Sequence, residues 1–470
     1  MVKRKLNKNQ TKLGIRTLDW NVPTNHISRF VVEFVEEVFP LLNIKEPKKK
    51  KGRDSLPVDS MLKLLIYAKI QHIDRTSIIA DMARYHDIFK YVCDDIRPSE
   101  RSIQRYRREY GHYFEVLLKM TLKKAFDEGF TEFNHVAIDG TIKKAYNSNN
   151  NTITKKETQI LVDYYEGRPI DSKSFEKLHK PAQRLLEKKD MDDEDKLELL
   201  YGIETQFTFT GQDRIPVNDI EARFMKGKKG NFMVAYNIQS AVDYDTKLIC
   251  AINVTQNPTD HYELPNIAER AIKNINTKPK YISADTIYLN QISLSYLADK
   301  KIDGLIPNRK QSKEKIGKLS PNPYHKDHFE YDYELDAFKC PKNQYMYFFA
   351  KYYEPHKDPE KPDKIKRLYN NYEACKNCKA RNKCCSSSQT HKTITEYGSE
   401  MQKVMNHKME KQEYKDEYAK RLGVEGPFVI FKEQFQIEKE VVTGMIKTEE
   451  RINLDALTYN LIQLTTLNKK

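Results

Sequence analysis

Apolar residues recur at three- and four-residue spacing through the first part of the chain. This spacing predicts one helix over about 30–38 and a second that starts near Pro57. Similar patterns predict helices at 76–85 and from Ser99 to about residue 128. We therefore expect residues 1–130 to form an all-α region.

The pattern changes to short apolar runs after residue 130. The run His135–Ile138 predicts a strand that ends in a turn at Asp139 and Gly140. The elements that follow predict further strands at 231–240, 247–254, 281–284 and 304–307, and helices at 263–275 and 291–300. Three strands, a helix, a strand, a helix and a strand are typical of an α/β fold with the mixed sheet of an RNase H-like core, not of a regular doubly wound sheet.

Two segments interrupt this core. Residues 146–228 are hydrophilic and predict a helical insertion, and a later segment holds most of the cysteines. We expect four parts: the helical region at 1–130, the first part of the core at 131–310, the cysteine-rich insertion at 311–399, and the second part of the core with C-terminal helices at 400–470.

The charge balance favours a polyanionic partner. The 81 Lys and Arg exceed the 67 Asp and Glu, which gives a formal net charge of +14. No stretch approaches the roughly 20 apolar residues of a membrane-spanning helix, and the basic N-terminus lacks the apolar part of a signal peptide. We expect a cytoplasmic protein with no membrane partner.

Basic residues are concentrated at the start of the predicted helix after Ser99. Arg101, Arg105 and Arg108 lie there, after a short helix and a turn, which is compatible with a helix-turn-helix that binds DNA. A solvated basic face on a bundle helix explains the same residues equally well. The helical region is therefore a candidate DNA-binding region.

The cysteines are clustered rather than spread as a disulfide framework would be. Cys375 and Cys378 form a CxxC, Cys384 and Cys385 follow, and Cys340 precedes a proline. Four thiolates suit tetrahedral Zn²⁺, so we predict a structural zinc site and a small zinc-ribbon-like insertion, formed by Cys340, Cys375, Cys378 and Cys384 with Cys385 spare. A set of ordinary thiols is the alternative. Cys93 and Cys250 are predicted to be core residues.

Two aspartates each follow a predicted strand. Asp139 ends HVAID and Asp285 ends YISAD, so adjacent strands would bring both carboxylates to one crevice. Hard cations such as Mg²⁺ prefer oxygen ligands, and two ions about 3.5–4 Å apart can cleave a phosphodiester. Taken singly, each residue has an ordinary explanation, as a turn residue or a helix cap. Asp243 and Asp260 compete for the second position, although Asp243 fits a hairpin turn and Asp260 fits a helix cap.

A third motif changes this balance. The segment YAKRLGVEGPFVIFK contains Tyr418, Arg421, Glu425 and Lys432 at intervals of two, three and six residues. It resembles the Y-(2)-R-(3)-E-(6)-K signature of the YREK group of insertion-sequence DDE transposases. VAIDGT and ISADTIYL resemble the two aspartate motifs of that family and occur in the required order. The resemblance covers the chain from about residue 131, and the helical leader is also similar.

The resemblance implies an RNase H-like transposase with Asp139, Asp285 and Glu425 as the metal-binding triad. The metal would be two Mg²⁺ or Mn²⁺ ions. Arg421 and Lys432 would contact DNA phosphate near the cleaved end, with Tyr418 in support. Seven residues separate Glu425 from Lys432, which places both on one face if the segment is helical.

The expected reaction is metal-dependent cleavage of double-stranded DNA at the terminal inverted repeats of an element, followed by strand transfer into target DNA. Joining two ends implies a homodimer on DNA, and DNA binding would associate the protein with the nucleoid. Two alternatives remain open. One is an RNase H-like nuclease without strand transfer, and the other is an inactive, transposase-derived DNA-binding protein.

Overall fold

The computed structural model describes residues 17–44, 55–227, 230–356, 363–421 and 442–469. The helices in these ranges are α1 (Ile27–Val38), α2 (Val58–Ile70), α3 (Thr76–Tyr85), α4 (Asp87–Val92), α5 (Glu100–Tyr110), α6 (Tyr113–Asp127), α7 (Lys155–Tyr165), α8 (Ser172–Glu176), α9 (Lys180–Glu187), α10 (Asp193–Thr210), α11 (Leu264–Ile275), α12 (Gln291–Asp299), α13 (Arg309–Lys315), α14 (Tyr372–Lys376), α15 (Arg381–Cys384), α16 (Glu400–Lys408), α17 (Gln412–Ala419) and α18 (Met445–Leu467). The strands are β1 (His135–Lys144), β2 (Thr152–Thr154), β3 (Arg214–Pro216), β4 (Arg223–Lys226), β5 (Phe232–Asp243), β6 (Ile249–Thr255), β7 (Tyr281–Ser283), β8 (Asp303–Leu305), β9 (Glu330–Asp332), β10 (Ala337–Lys339), β11 (Tyr345–Glu354), β12 (Lys364–Asn370) and β13 (Thr393–Tyr397).

Contacts divide the chain into two compact units, Met1–Lys124 with Glu450–Lys470, and Ala125–Glu449. Among the described residues, no helix is both long and apolar enough to cross a membrane. The fold is mixed α/β, with a mixed parallel and antiparallel sheet in the second unit.

The first unit is built from helices in its described residues. Its hydrophobic core joins α1 to α6 with side chains of the distant helix α18. Buried charge fixes the same packing, because the Lys69 ammonium lies 2.6 Å from Asp455 and 3.1 Å from Asp74. Arg451 of α18 also pairs with Asp74, at 2.9 Å. Breaking a buried pair leaves an uncompensated charge, so these contacts tie α18 to the N-terminal helices.

The predicted helices agree with this unit except in two places, the first of which is α4, a helix that the sequence did not predict. α3 has the predicted bounds, but the single helix expected from Ser99 to about 128 is two helices, α5 and α6. They meet at Gly111 and His112, where two turn residues break the helical pattern. A glycine inside a helical pattern lowers helix propensity by about 1 kcal/mol relative to alanine, which favours this break.

The second unit is organised around a six-stranded sheet in the order β4-β5-β1-β7-β8, with β6 also pairing with β5. β1 lies near its middle, antiparallel to β5 and parallel to β7. β1, β5 and β6 come first in the chain, and α11, β7, α12 and β8 follow. This is the predicted succession of three strands, helix, strand, helix and strand.

One sequence prediction for this sheet is wrong. Asp139 and Gly140 do not form a turn, because β1 continues through both residues to Lys144 and stays paired with β5 over that length. An Asp-Gly pair favours a turn only when nothing else determines the backbone. Here the long antiparallel pairing with β5 determines it.

Two further structures interrupt the sheet in sequence. α7 to α10 surround their own small core next to the β2–β3 pair. Between β8 and α16, strands β9 to β13 form a five-stranded sheet in the order β13-β12-β11-β10-β9, with every pair antiparallel. One face of this sheet carries an apolar core that includes Phe338, Met346 and Tyr369.

Candidate active site

Asp139 lies on β1, and Asp285 follows the neighbouring parallel strand β7, two residues past its last residue. The β1–β7 register pairs Val136 with Ile282 and Ala137 with Ser283. Continued two residues past the end of β7, the same register places Asp285 beside Asp139. Residues two apart in a strand share a face, so both carboxylates lie on one side of the sheet.

The environment of Asp285 penalises its negative charge. Burial raises the pKa of Asp285, and the nearby carboxylates of Asp139 and Asp260 raise it further. The backbone N–H of Ile287, which donates to Asp285 Oδ1 at 3.0 Å, and the positive charge of Arg421 act in the opposite direction without cancelling the rise. A carboxylate held at such an energetic cost gains from a bound cation.

Arg421 lies beside the first aspartate. Its Nη2 is 3.7 Å from Asp139 Oδ1 and donates to the carbonyl oxygen of Ile138 at 3.1 Å. Burial alone lowers the pKa of Arg421, but Tyr418, Asp139 and Asp285 together raise it above its ordinary value. The guanidinium is therefore a fixed positive charge next to the aspartate pair.

Tyr418 orients this arginine. The Tyr418 hydroxyl accepts from Arg421 Nη1 at 3.4 Å, and the guanidinium carbon lies 6.0 Å from the centre of the ring. The structure thus brings the first two residues of the Tyr-Arg-Glu-Lys motif to Asp139. Glu425 and Lys432 lie outside the described residues.

A buried polar cluster lies on the other face of the same strands. Asp260 Oδ1 accepts from the side-chain amides of Asn237, at 2.7 Å, and Gln239, at 2.5 Å. Gln239 Oε1 in turn accepts from the Tyr288 hydroxyl at 2.5 Å. Burial raises the pKa of Tyr288 well above its ordinary value, so this hydroxyl stays protonated and keeps donating. We call Asn237, Gln239, Asp260 and Tyr288 the amide cluster.

Side chains of the amide cluster leave no room for a Cβ at position 140. Gly140 pairs directly with Gln239 across the β1–β5 ladder. A Cβ at this position would lie 2.6 Å from Cγ of Asp260 and 2.6 Å from Nε2 of Gln239. Only glycine leaves room for the carboxylate of Asp260 here.

The geometry of the sheet argues against Asp260 as the second metal ligand. Successive residues of a strand face opposite sides, so the amide cluster, on the side of Gly140, lies on the face away from the Asp139 side chain. Asp260 does not cap α11 as expected. The N-cap residue of α11 is Glu263, whose side chain makes no capping hydrogen bond. Asp260 instead accepts hydrogen bonds from the side-chain amides of Asn237 and Gln239.

Asp243, the other candidate, lies at the hairpin between β5 and β6. Its Oδ2 accepts from the backbone N–H of Thr246 at 2.9 Å and from the hydroxyl of Thr246 at 2.6 Å. This is the turn that its sequence context indicates. Of these three candidates, only Asp285 lies beside Asp139 in the continued β1–β7 register and on the same face of the sheet.

Contacts from the segment around His261 hold the loop that carries Asp285. His261 Nδ1 lies 2.9 Å from the carbonyl oxygen of Ile287. The side-chain amide of Asn290 donates to the carbonyl oxygens of His261 and, at 3.2 Å, Tyr288. Together with the hydrogen bond from Tyr288 to Gln239, these contacts fix the backbone that follows Asp285. Sequence reasoning missed this support, whose only signal is the run of polar residues in the buried strand NIQS.

The chemistry available to these side chains is oxygen ligation of a divalent cation. Two carboxylates on one face, one of them with a raised pKa, fit the ligand preference of Mg²⁺ or Mn²⁺. Within the described part of the chain, no three His, Cys, Asp or Glu side chains are grouped closely enough to hold a metal ion. The third predicted ligand, Glu425, lies outside that part.

The predicted basic residues of the helical unit share one side of α5. Arg101, Arg105 and Arg108 are all exposed, and their spacing of four and three residues places them along one stripe. Arg107 differs, because it is partly buried and donates to the carbonyl oxygen of Asp74 at 2.9 Å.

The clustered cysteines lie at one end of the five-stranded sheet, but among the described residues no three of them are grouped closely enough to hold a metal ion. Cys340, Cys375, Cys378, Cys384 and Cys385 line a common cavity. Burial and then the charges of three neighbouring cysteines raise the pKa of Cys375, and burial together with Cys385 raises the pKa of Cys384 to about 11. Cys93 and Cys250 are buried elsewhere, as predicted for core residues.

Two segments of the chain match models of known protein domains. Residues 339–465 match the model of a transposase DDE domain, and residues 16–109 match the model of a transposase domain named DUF772. The first match contains Glu425 and the clustered cysteines, whereas Asp139 and Asp285 precede it.

No curated protein matches the chain. Among solved structures, the synaptic complex of piggyBac transposase with hairpin DNA covers 95% of this chain and 73% of that chain, with a TM-score of 0.33 and 9% sequence identity. Two segments of the chain are therefore similar to transposase domains.

Proposed function

We propose that the chain is a DDE transposase that cuts DNA at the ends of an element and joins the freed 3′-OH groups to target DNA. The observation that supports this proposal best is the placement of Asp139 on β1 and of Asp285 just past the adjacent parallel strand β7, with Arg421 beside Asp139. The transposase matches at 16–109 and 339–465 support the same function independently of this geometry.

In this proposal Asp139, Asp285 and Glu425 hold two divalent metal ions. When bound, Mg²⁺ or Mn²⁺ supplies a Lewis acid that activates the attacking water and stabilises the leaving oxygen. Asp139 supplies oxygen ligands from strand β1 and Asp285 from the loop after β7, and the amide cluster with its neighbouring contacts keeps that loop in place. Glu425 would complete the set.

The basic residues bind DNA in this proposal. Arg421 and Lys432 contact phosphate near the cleaved bond, and Tyr418 holds the guanidinium of Arg421 in position. The exposed stripe of Arg101, Arg105 and Arg108 contacts duplex DNA, either in a groove or along the backbone.

The core is RNase H-like in this proposal, an interpretation that its succession of strands and helices supports. Two ends must be joined, so the active form on DNA is a homodimer.

Cleavage of DNA that carries the element ends tests the proposal. Asp139→Asn, Asp285→Asn and Glu425→Gln should each abolish cleavage in Mg²⁺ while DNA binding persists, because an amide oxygen is uncharged and a poorer metal ligand. Asp245→Asn, which changes an exposed aspartate in the β5–β6 turn, is the matched control. Near wild-type cleavage by a triad variant would remove that residue from the site.

The products distinguish the alternatives. Strand transfer predicts joined molecules when target DNA is added, whereas a nuclease gives cut ends alone. A chain that binds the ends but cuts nothing in either Mg²⁺ or Mn²⁺ would be a DNA-binding protein without catalysis.

The cysteine cluster is proposed as a separate structural zinc site with Cys340, Cys375, Cys378 and Cys384 as ligands. Support comes from the cavity that these cysteines line together, and the side chains have to move closer to one another to hold zinc. Elemental analysis should find about one zinc per chain. The double variant Cys375→Ser with Cys378→Ser should lose that zinc, whereas Cys385→Ser should keep it. Protein folded in reducing buffer without zinc would show the cluster to be ordinary thiols.

A further inference from the structure

The helix α17 carries Tyr418 and leads directly to Arg421, but no apolar core determines where this helix lies. None of its eight residues, all of them in the described part of the chain, is buried. A helix on the surface of a protein usually docks through an apolar stripe that faces the core, and α17 has no covered stripe of this kind. Its position against the sheet therefore depends largely on polar contacts.

His135 and Glu417 make one of these polar contacts. Nδ1 of His135 lies 2.9 Å from Oε1 of Glu417. Only 4% of the His135 side chain is exposed, and among the described residues its Nε2 has no hydrogen-bond partner. Within that part of the chain, Glu417 is therefore the only hydrogen-bond partner of this imidazole.

The charges of the two groups determine which of them donates. Burial alone raises the pKa of Glu417, but hydrogen bonds from Lys420 and His135 lower it below its ordinary value, so the carboxylate is ionised at neutral pH. Burial lowers the pKa of His135 even though Glu417 acts in the opposite direction, so the ring is neutral at neutral pH. A neutral imidazole that faces a carboxylate carries its hydrogen on the facing nitrogen and donates it. Such a hydrogen bond to a charged group is stronger than one between neutral groups.

His135 is a rigid anchor, because β1 lies between β5 and β7 in the sheet. The carbonyl oxygen of His135 accepts from the backbone N–H of Tyr244 at 2.8 Å, and His135 pairs with Tyr281 in the β1–β7 register. The centres of the Tyr244 and Tyr281 rings lie 5.4 Å and 5.8 Å from the centre of the imidazole. A contact with this imidazole therefore ties α17 directly to the sheet.

The end of α17 contacts β1 at two points. His135 and Asp139 lie on the same face of β1, four residues and about 13 Å apart. Glu417 contacts His135, and Arg421, about one helical turn later, lies beside Asp139. Arg421 also donates to the carbonyl oxygen of Ile138. A single contact would leave the end of the helix free to pivot, whereas two contacts fix its direction.

We propose that His135 and Glu417 are positioning residues that hold the guanidinium of Arg421 beside Asp139. Neither residue belongs to the Tyr-Arg-Glu-Lys motif or to the three carboxylates proposed to bind metal. The inference rests on the proposed function only for what Arg421 does once it is in place, which is to contact DNA phosphate. It adds that β1 holds this arginine through both ends of one helical turn.

Modification of arginine by phenylglyoxal, followed by mass spectrometry on the full chain in EDTA without DNA, tests the placement of Arg421. Only 13% of the Arg421 side chain is exposed, so it should react slowly in the wild type, and Arg168, with 56% exposed, gives a reference rate in the same digest. Glu417→Ala and His135→Phe should each speed the reaction of Arg421 by about tenfold. This factor corresponds to about 1.4 kcal/mol, near the lower end of what a hydrogen bond to a charged group contributes.

Two further variants separate positioning from a general loss of structure. Glu417→Gln keeps an acceptor for the imidazole of His135 and should restore most of the protection of Arg421. Glu413→Ala makes the same change as Glu417→Ala one turn earlier on the same helix, at an exposed residue, and should leave Arg421 as protected as in the wild type. If His135→Phe fails to fold, Glu417→Ala decides the matter, because Glu417 is not buried.

Cleavage of end-bearing DNA in Mg²⁺ shows whether the two residues act through Arg421. Glu417→Ala should slow cleavage by up to about 100-fold, the cost of a misplacement of about 1 Å. It should slow cleavage no further when Arg421 is already alanine, because the pair then has no guanidinium to position.

Equal modification of Arg421 in the wild type, Glu417→Ala and His135→Phe would overturn the proposal. Equally fast modification in Glu413→Ala and Glu417→Ala would overturn it as well, and so would equal slowing of cleavage by Glu417→Ala with and without Arg421. A wild-type chain that cuts no DNA would refute the proposed function instead, and the modification rates would still decide whether His135 and Glu417 position the arginine.

Discussion

Replacing Gly140 by alanine tests whether the amide cluster holds the candidate site together. The added Cβ would lie 2.6 Å from Cγ of Asp260 and 2.6 Å from Nε2 of Gln239. Ordinary carbon contacts need about 3.5–4.0 Å, so both side chains must move by about 1 Å. Both are engaged with Asn237 or Tyr288 and cannot move without weakening a hydrogen bond.

The expected cost combines two terms. Overpacking costs about 1–3 kcal/mol, and one weakened buried hydrogen bond to a carboxylate adds about 1 kcal/mol. We expect Gly140→Ala to lower the local stability of the β1–β5 pair by about 2–4 kcal/mol. Because Tyr288 follows Asp285 closely, the same shift should loosen the Asp285 loop and reduce Mg²⁺-dependent cleavage.

Native-state hydrogen exchange with mass spectrometry measures this effect locally. Peptides from β1 and β5 should exchange faster in Gly140→Ala, whereas peptides from α2 in the other unit serve as the internal control. The double variant Gly140→Ala with Asp260→Ala removes the carboxylate that the new Cβ meets, so the two changes should not be additive. Exchange within about 0.5 kcal/mol of the wild type, or strict additivity, would refute the reasoning.

The remaining predictions concern charge at the site. The raised pKa of Asp285 means that the folded chain holds this proton more tightly than the unfolded chain, so stability is lost as the pH rises from the ordinary aspartate range through the raised pKa. Asp285→Asn should therefore have a higher melting temperature than the wild type at pH 7 in EDTA, and the difference should vanish near pH 4. Thermal unfolding at several pH values measures this, and a lower melting temperature of the variant at pH 7 would contradict it. Arg421→Ala and Lys432→Ala should each lower the log–log salt slope of end-DNA binding by about one unit, and Arg421→Ala should reduce affinity more because a guanidinium can hold phosphate with two hydrogen bonds. If both variants keep the wild-type slope, neither residue contacts phosphate.

The sequence was a good guide to elements whose pattern is local. Helix α3, the strands that flank Asp285 and the order of elements in the mixed sheet follow from apolar spacing alone. The strand before Asp139 was predicted too, but it was expected to end in a turn at Asp139 and Gly140, whereas β1 continues through both residues. Nothing local shows that Gly140 has to accommodate Asp260, which lies 120 residues later in the chain.

The parts that escaped prediction depend on contacts between distant residues. α18 packs with the N-terminal helices through Lys69 and Asp455, a pairing that no short window contains. The amide cluster likewise joins β5 to two separate loops, and its members look like ordinary polar residues in sequence. The five-stranded sheet escaped prediction for another reason, because strands of three residues such as β9 and β10 are too short to show an alternating pattern.

Binding of Mn²⁺ to the DNA-free chain tests directly whether Asp139 and Asp285 hold a divalent metal ion, and it needs no knowledge of the element ends. Electron paramagnetic resonance counts free Mn²⁺ during a titration of the wild type, Asp139→Asn, Asp285→Asn and the control Asp245→Asn. We expect the wild type and Asp245→Asn to bind Mn²⁺ alike and each of the other two variants to bind it at least about tenfold more weakly, since even outer contacts of a metal site are worth 10–100-fold. Equal Mn²⁺ affinity in all four proteins would contradict the placement of the metal site at Asp139 and Asp285.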